Sequence, residues 1–182
     1  ANTVVRVNGV PVATLDDGQF FTGSGGGVRV STSRPAQVYV VTLGEVVGAD
    51  PTTILLPGAT SGVTAATLSA LSADNANTLV LSMPTSAIES LRIDGASPLA
   101  LWLAYPSGGS SYTTLTLPAG VHRVTAGQPF LPIAYGEKLF ESYGYTPAAS
   151  YAAGTCLSDV DGDGVVDSFD LDADGDGVRD VV

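Results

Sequence analysis

The chain has 182 residues, of which 45 % are hydrophobic and only 14 % charged, with a formal net charge of −11. That apolar content excludes an intrinsically disordered chain, and the length suffices for one substantial core or two small ones. The charge divides unevenly: residues 159–182 hold nine Asp against Arg179, residues 1–158 nine acids against six bases, and without a basic patch nucleic acid is excluded as a partner.

In chain order, "TVVRV" (3–7), Asn8-Gly9 and "VPVATL" (10–15) predict a β-hairpin, because Asn-Gly supplies the two positive φ values of a tight I′ turn. Asp17-Gly18 marks a second turn, and "QFFTG" leads into the glycine-rich "GSGGG" at 23–27. Further strands are expected at "VRVST" (28–32), "QVYVVTL" (37–43), "TTILLP" (52–57), "VTAATLSAL" (63–71) and "TLVLSMP" (78–84). The series continues with "SLRID" (90–94), "LALWLAY" (99–105), "YTTLTLP" (112–118), "VHRVTA" (121–126) and "FLPIAYG" (130–136). Only "TSAIES" (85–90) and "GEKLFES" (136–142) admit a helix, and both are too short to carry a helical domain. Strands recurring about every ten residues favour an all-β, antiparallel β-sandwich over residues 1–150. Pro35, Pro57, Pro84, Pro106 and Pro118 stand at strand ends, where a missing N–H costs least.

"LALWLAY" is the longest apolar run and is far too short to cross a bilayer, so membrane insertion is not expected. No charged-then-apolar leader opens the chain; Ala1 in first position is consistent with a processed or trimmed chain. Cys156 is the sole cysteine, so no internal disulfide forms.

After an eight-residue linker (151–158), the stretch "DVDGDGVVDSFDLDADGDGVRD" repeats at a period of 13. Asp159, Asp161, Gly162, Asp163, Gly164, Val165 and Asp167 recur as Asp172, Asp174, Gly175, Asp176, Gly177, Val178 and Asp180. Calcium takes six to eight oxygens, and a twelve-residue loop offers them from positions 1, 3, 5, 7, 9 and 12, with Gly at 6. In the first loop these are Asp159, Asp161, Asp163, the Val165 carbonyl, Asp167 and Asp170; in the second, Asp172, Asp174, Asp176, the Val178 carbonyl and Asp180. Unpaired, the carboxylates repel one another, a cost that a hard divalent cation removes; ligation by oxygen alone argues against zinc or copper. An acidic, solvated tail is the bland alternative, and the strict spacing with paired glycines weighs against it. About two Ca2+ ions are expected.

A period of 13 leaves no room for the flanking helices of an EF-hand. The end-to-end DxDxDGxxDxxD pattern resembles thrombospondin type 3 repeats, and its first half also looks like a dockerin loop. Resemblance to type 3 repeats implies an extracellular strip wrapped around its own ions; the cysteines those repeats often carry are represented only by Cys156. Position 12 of the second loop falls beyond Val182. Three readings stand: the sequence is cut short, the Val182 carboxylate completes the sphere, or a neighbouring molecule supplies the oxygen.

The stretch "GVHRVTAGQPFLPIAYGEKLFESYGYTPAAS" (120–150) has a Gly-x-His, a Pro-Phe, an apolar strand, a Gly and a Ser-Tyr-Gly-Tyr. It resembles the N-terminal domain of IgGFc-binding-protein-like surface proteins, as do "VRVSTSRPAQVYVVTL" (28–43) and "SLRIDG" (90–95). The resemblance spans most of residues 1–150 and implies a secreted or cell-surface protein, in bacteria often beside repeats of this kind. It does not carry antibody binding with it.

Catalytic constellations are missing. His122, the single histidine, alternates with Val121 and Arg123 and reads as a structural strand residue; Cys156 sits beside an acidic loop that raises a thiol pKa. Glu137 and Glu141 read as a solvated turn beside Lys138, and "GATSG", "SGGSS" and "GSGGG" match neither a serine elbow nor a nucleotide loop. Trp102, Tyr105, Tyr112, Tyr143, Tyr145 and Tyr151 offer an aromatic ligand platform, though strand aromatics more often pack in the core. The expectation is a non-catalytic, prokaryotic extracellular β-protein. Its first role is a self-associating structural subunit of a fibre or surface array; the alternative is an adhesive module for a glycan or surface protein.

Overall fold

A computed structural model describes residues 2–42, 48–72, 75–106 and 108–150, all within one compact unit, Ala1–Ser150. The expected calcium ligands at 159–180, Cys156, Tyr151 and the linker lie outside the described residues. The described chain is nearly all β, its strands antiparallel. They are β1 (Thr3–Val7), β2 (Val10–Leu15), β3 (Val30–Thr32), β4 (Val38–Thr42), β5 (Thr52–Leu56), β6 (Val63–Ala70), β7 (Ala76–Pro84), β8 (Arg92–Ile93), β9 (Leu103–Ala104), β10 (Ser110–Thr116), β11 (Gly120–Lys138) and β12 (Glu141–Tyr145). No helix among the described residues is long and apolar enough to cross a membrane.

The Asn8-Gly9 hairpin forms as the sequence predicts. Asn8 (φ 51°) and Gly9 (φ 83°) both take left-handed backbone, and Val7 faces Val10 across the turn. A bulge between Val5 and Arg6 leaves Val12 as the extra residue on β2, and β3 completes a sheet in the order β2-β1-β3. β4 and β5 form a separate two-stranded ribbon.

The central body is a sandwich. One sheet runs β12-β11-β7-β10-β9; facing it, β6 and β8 pair with the first part of β11. Residues with a period of two point inward from both: Ala66, Leu68 and Ala70 from β6, and Leu79, Leu81 and Met83 from β7. Val124, Phe130, Ala134 and Leu117 close the core, each almost wholly out of water. Burial of each large aliphatic side chain contributes roughly 1.5–3 kcal/mol.

β11 builds the corner. Residues Gly120–Thr125 pair with β6, and Leu131–Glu137 pair with β7. Between them the register shifts, and Gly127 N–H donates to Ser90 Oγ at 2.9 Å. The sequence predicts two strands here, at 121–126 and 130–136. Instead one bent strand changes sheets, as strands at sandwich corners do. The expectation of a helix at 136–142 is also overturned: Gly136–Lys138 continue β11, Phe140 turns at φ 63°, and Glu141 returns as β12. Thr85–Ser90 is a short 3₁₀ turn with Ala87 buried. The expected strands at 90–94 and 99–105 shrink to the two-residue β8 and β9.

Candidate recognition surface

The buried His122 meets the half-exposed Asp94 at the edge of the sandwich. Asp94-Gly95 forms a tight turn with both φ positive, closed by reciprocal bonds between Ile93 and Ala96. The turn aims the Asp94 carboxylate at β11, where Oδ1 accepts from the Arg123 N–H at 2.8 Å and Oδ2 lies 2.7 Å from His122 Nδ1. His122 Nε2 lies 2.9 Å from the Pro118 carbonyl. Both partners are acceptors, so only the doubly protonated ring satisfies both. Burial opposes that charge, but the Asp94 bond and the Pro118 carbonyl outweigh it and raise the His122 pKa above its ordinary value. The same bond to His122, with the Arg123 N–H, lowers the Asp94 pKa. The bonds clamp the Asp94-Gly95 turn to β11. The Asp94 partner went unread, although Asp-Gly before an extended run signals a turn.

Glu137 corrects the sequence reading: it is 3 % exposed on β11, across from Ser142 and Ala76, not in a solvated turn. The exposed Glu141 instead receives Lys138 Nζ at 2.8 Å. Among the described residues no group of three or more His, Cys, Asp or Glu is placed to hold a metal.

The aromatic platform divides. Tyr143 and Tyr145 lie on one face of β12 with ring centroids 6.1 Å apart, and their hydroxyls tie it to β7 of its own sheet and to β6 of the facing one. Tyr145 OH donates to the Ser69 carbonyl and accepts from the Ser69 N–H, both at 2.8 Å. Tyr143 OH donates to Asn77 Oδ1 at 2.6 Å, and its ring covers Gly136 directly across the ladder; burial raises this phenol's pKa. Tyr105 and Tyr112 pack at 5.0 Å, with Tyr112 against Gly27 of the glycine-rich loop. Trp102 packs against the core. The described tyrosines of β12 are fasteners, not a free platform.

Large apolar side chains reach solvent at several places among the described residues, and three groups of them stand on or beside strands. Val10 and Val30 flank Val7 on one face of the N-terminal sheet, 62 % and 39 % exposed. On the β4–β5 ribbon, Ile54 is buried against Gly144, while Tyr39, Val41 and Leu55 share the opposite, open face. Along the approach to β9, Leu99, Leu101 and Leu103 alternate outward with Pro98, Ala100 and Trp102 turned inward. Beside that last stretch, Ile88, Leu91, Pro98, Ala100 and Trp102 line an open groove of about 350 Å³, with Glu89 and Ser97 at its polar rim. The sequence marks 99–105 as an apolar strand but not as an outward-facing one.

Residues 1–136 match the family model for IgGFc binding protein. The chain belongs to that family. The match runs from the N-terminal hairpin through both halves of β11 to Gly136, so it takes in the three apolar groups just described. It stops before β12 and before the Asp-rich stretch. No curated protein and no solved structure matches the chain.

Proposed function

We propose that this chain is a non-catalytic extracellular recognition module that binds a protein partner through its β-domain and orders its Asp-rich C-terminal stretch on calcium. Membership of the IgGFc binding protein family over residues 1–136 is the observation that carries the recognition role. Tyr39, Val41 and Leu55 fit it, because tyrosine beside aliphatics on a rigid strand pair is a common anchor of protein interfaces. The calcium role rests on the two 13-residue repeats, with Asp159, Asp161, Asp163, the Val165 carbonyl, Asp167 and Asp170 as the first ligand set. Extracellular calcium is abundant enough to fill even modest loops, and metal that binds only the ordered form stabilises it.

Surface plasmon resonance against immunoglobulin Fc fragments and a panel of surface proteins, with a glycan array in parallel, tests recognition. A protein partner whose binding falls at least tenfold in Tyr39→Ala supports the reading. Binding to glycans alone, or to nothing, overturns it. Titration calorimetry with Ca2+ tests the second part, with about two ions per chain expected and one or none after Asp161→Asn and Asp163→Asn.

A second reading, self-association, is favoured by the Leu99–Leu101–Leu103 stripe. Natural edge strands are protected by charges, and residues 95–121 contain no Asp, Glu, Lys, Arg or His.

A further inference from the structure

The edge at β9 carries the self-association reading to a specific geometry. β9 is the last strand of its sheet among the described residues. The Leu101 carbonyl accepts from Thr113 Oγ1 at 2.8 Å, and the Tyr105 N–H donates to the Ser110 carbonyl at 3.1 Å. Leu101 and Tyr105 thus turn their backbone groups inward, toward β10. In an extended strand the backbone polar groups of alternate residues point to opposite edges. Those of Ala100 and Trp102 therefore face the open edge. The side chains alternate at right angles to this: Leu99, Leu101 and Leu103 are 100 %, 79 % and 47 % exposed, while Ala100 and Trp102 are half-buried.

We propose that two copies of this chain pair edge to edge through residues 98–104, antiparallel, with Leu101 on the two-fold axis. The inference rests on the self-association reading and adds to it the surface, the partner and the register. With Leu101 facing its copy, Ala100 falls opposite Trp102 of the other chain on both sides of the axis. These are the residues whose N–H and C=O point outward, so each pair exchanges two backbone hydrogen bonds. Small meets large at Ala100 and Trp102. Leu99 meets Leu103, and six leucines form one continuous stripe. Sliding one strand by a single residue, which puts the axis midway between two residues, would set inward-turned backbone groups against outward-turned ones and lose the ladder; of the registers that keep it, the one centred on Leu101 sets small Ala100 against large Trp102. A two-fold contact of this kind is self-complementary by construction. No charged side chain lies on either strand, because residues 95–121 contain no Asp, Glu, Lys, Arg or His. Three leucines and a short ladder fall below the roughly 1,200 Å² that stable complexes bury. The pair is therefore weak in dilute solution and strengthens where many copies are held together.

Cysteine cross-linking of the full chain, in a Cys156→Ser background and calcium buffer, tests the register. Leu101→Cys places two thiols across a non-hydrogen-bonded pair, whose Cα separation of about 4.5 Å accepts a disulfide. It is expected to give a covalent dimer under mild oxidation. Leu99→Cys alone is not, because residue 99 faces residue 103 of the other copy; Leu99→Cys with Leu103→Cys restores the cross-link. Sedimentation over a concentration series runs alongside, with Leu101→Lys expected to weaken association at least tenfold and the equally exposed control Val121→Lys to leave it intact. Association that survives Leu101→Lys, or cross-linking of Leu99→Cys as readily as Leu101→Cys, overturns the β9 interface while leaving self-association standing. A monomer at every concentration overturns both.

Discussion

The clamp on His122 makes a quantitative prediction about pH. Its two ring nitrogens face acceptors, the Asp94 carboxylate and the Pro118 carbonyl, at 2.7 and 2.9 Å, and the residue is 6 % exposed. The charged ring donates to both; the neutral ring donates to one. His122→Phe keeps most of the ring's shape and removes both donors. A bond from a charged donor contributes roughly 1.5–3 kcal/mol and a neutral one about 1 kcal/mol. Asp94 is half in water, which places the His122 loss at the lower end, about 2–3 kcal/mol for the charged state. Because the folded-state pKa of His122 is raised, its contribution is full below about 6.5, the unfolded value, and is lost as pH rises through the folded value. The Asp94 pKa is lowered, so its contribution is present above about 3.8 and is lost as pH falls through the folded value. The pair thus stabilises most between roughly pH 4 and 6.5. Urea unfolding of the wild type and His122→Phe at pH 5.5 and pH 9 reads the difference from the shift in midpoint. The substitution is expected to cost about 1 kcal/mol more at pH 5.5 than at pH 9. An equal cost at both values, or a larger one at pH 9, refutes the charged clamp.

Tyr145→Phe removes a hydroxyl that bonds both backbone groups of Ser69, and a loss of about 1–2 kcal/mol by urea unfolding is expected, with faster amide exchange at Ser69. Leu81→Ala opens a cavity where the side chain is wholly out of water, and about 2–5 kcal/mol of stability is expected to go, read in the same assay. Gly9→Val forces a β-branched residue to φ 83° at the hairpin tip, in open space; thermal melts are expected to show a loss of about 1 kcal/mol or more from backbone strain alone. Chelation is expected to lower the melting temperature of the full chain and leave that of residues 1–150, if this fragment is expressed and proves folded by near-ultraviolet circular dichroism, unchanged; an equal shift in both would place the ions elsewhere.

Where local chemistry decides, the sequence was legible. Asn8-Gly9 has one inexpensive backbone solution, and the alternation in 63–70 and 76–84 assigns the inward faces of β6 and β7 without any tertiary information. Where a partner strand decides, it was not. Gly127 and Pro129 look like breakers, yet a strand crossing from one sheet to another needs a bend there, and both sheets hold it in place. Glu137 and Glu141 have helical spacing, but the ladder between Gly136 and Tyr143 and the tyrosine packed over that glycine outweigh a weak helical preference. The outward leucines of 99–103 escaped notice because an apolar run predicts burial, and only the strand order reveals which side of it lies open. For the acidic repeats, spacing is itself the argument, and it lies outside the described residues.

The bent strand β11 also has a consequence for how the protein assembles in time. It pairs Ala70 with Gly120, Val63 with Phe130, and Ala76 with Glu137, so β6 and β7 meet the strand they share only 50 to 67 residues further along the chain. During synthesis or export, β6 and β7 must wait with their leucines uncovered until residue 138 has emerged. Contacts this distant in sequence give slow folding, in milliseconds to seconds. One late strand thus commits both halves of the sandwich together, and an earlier break in the chain leaves β6 and β7 without the strand they share.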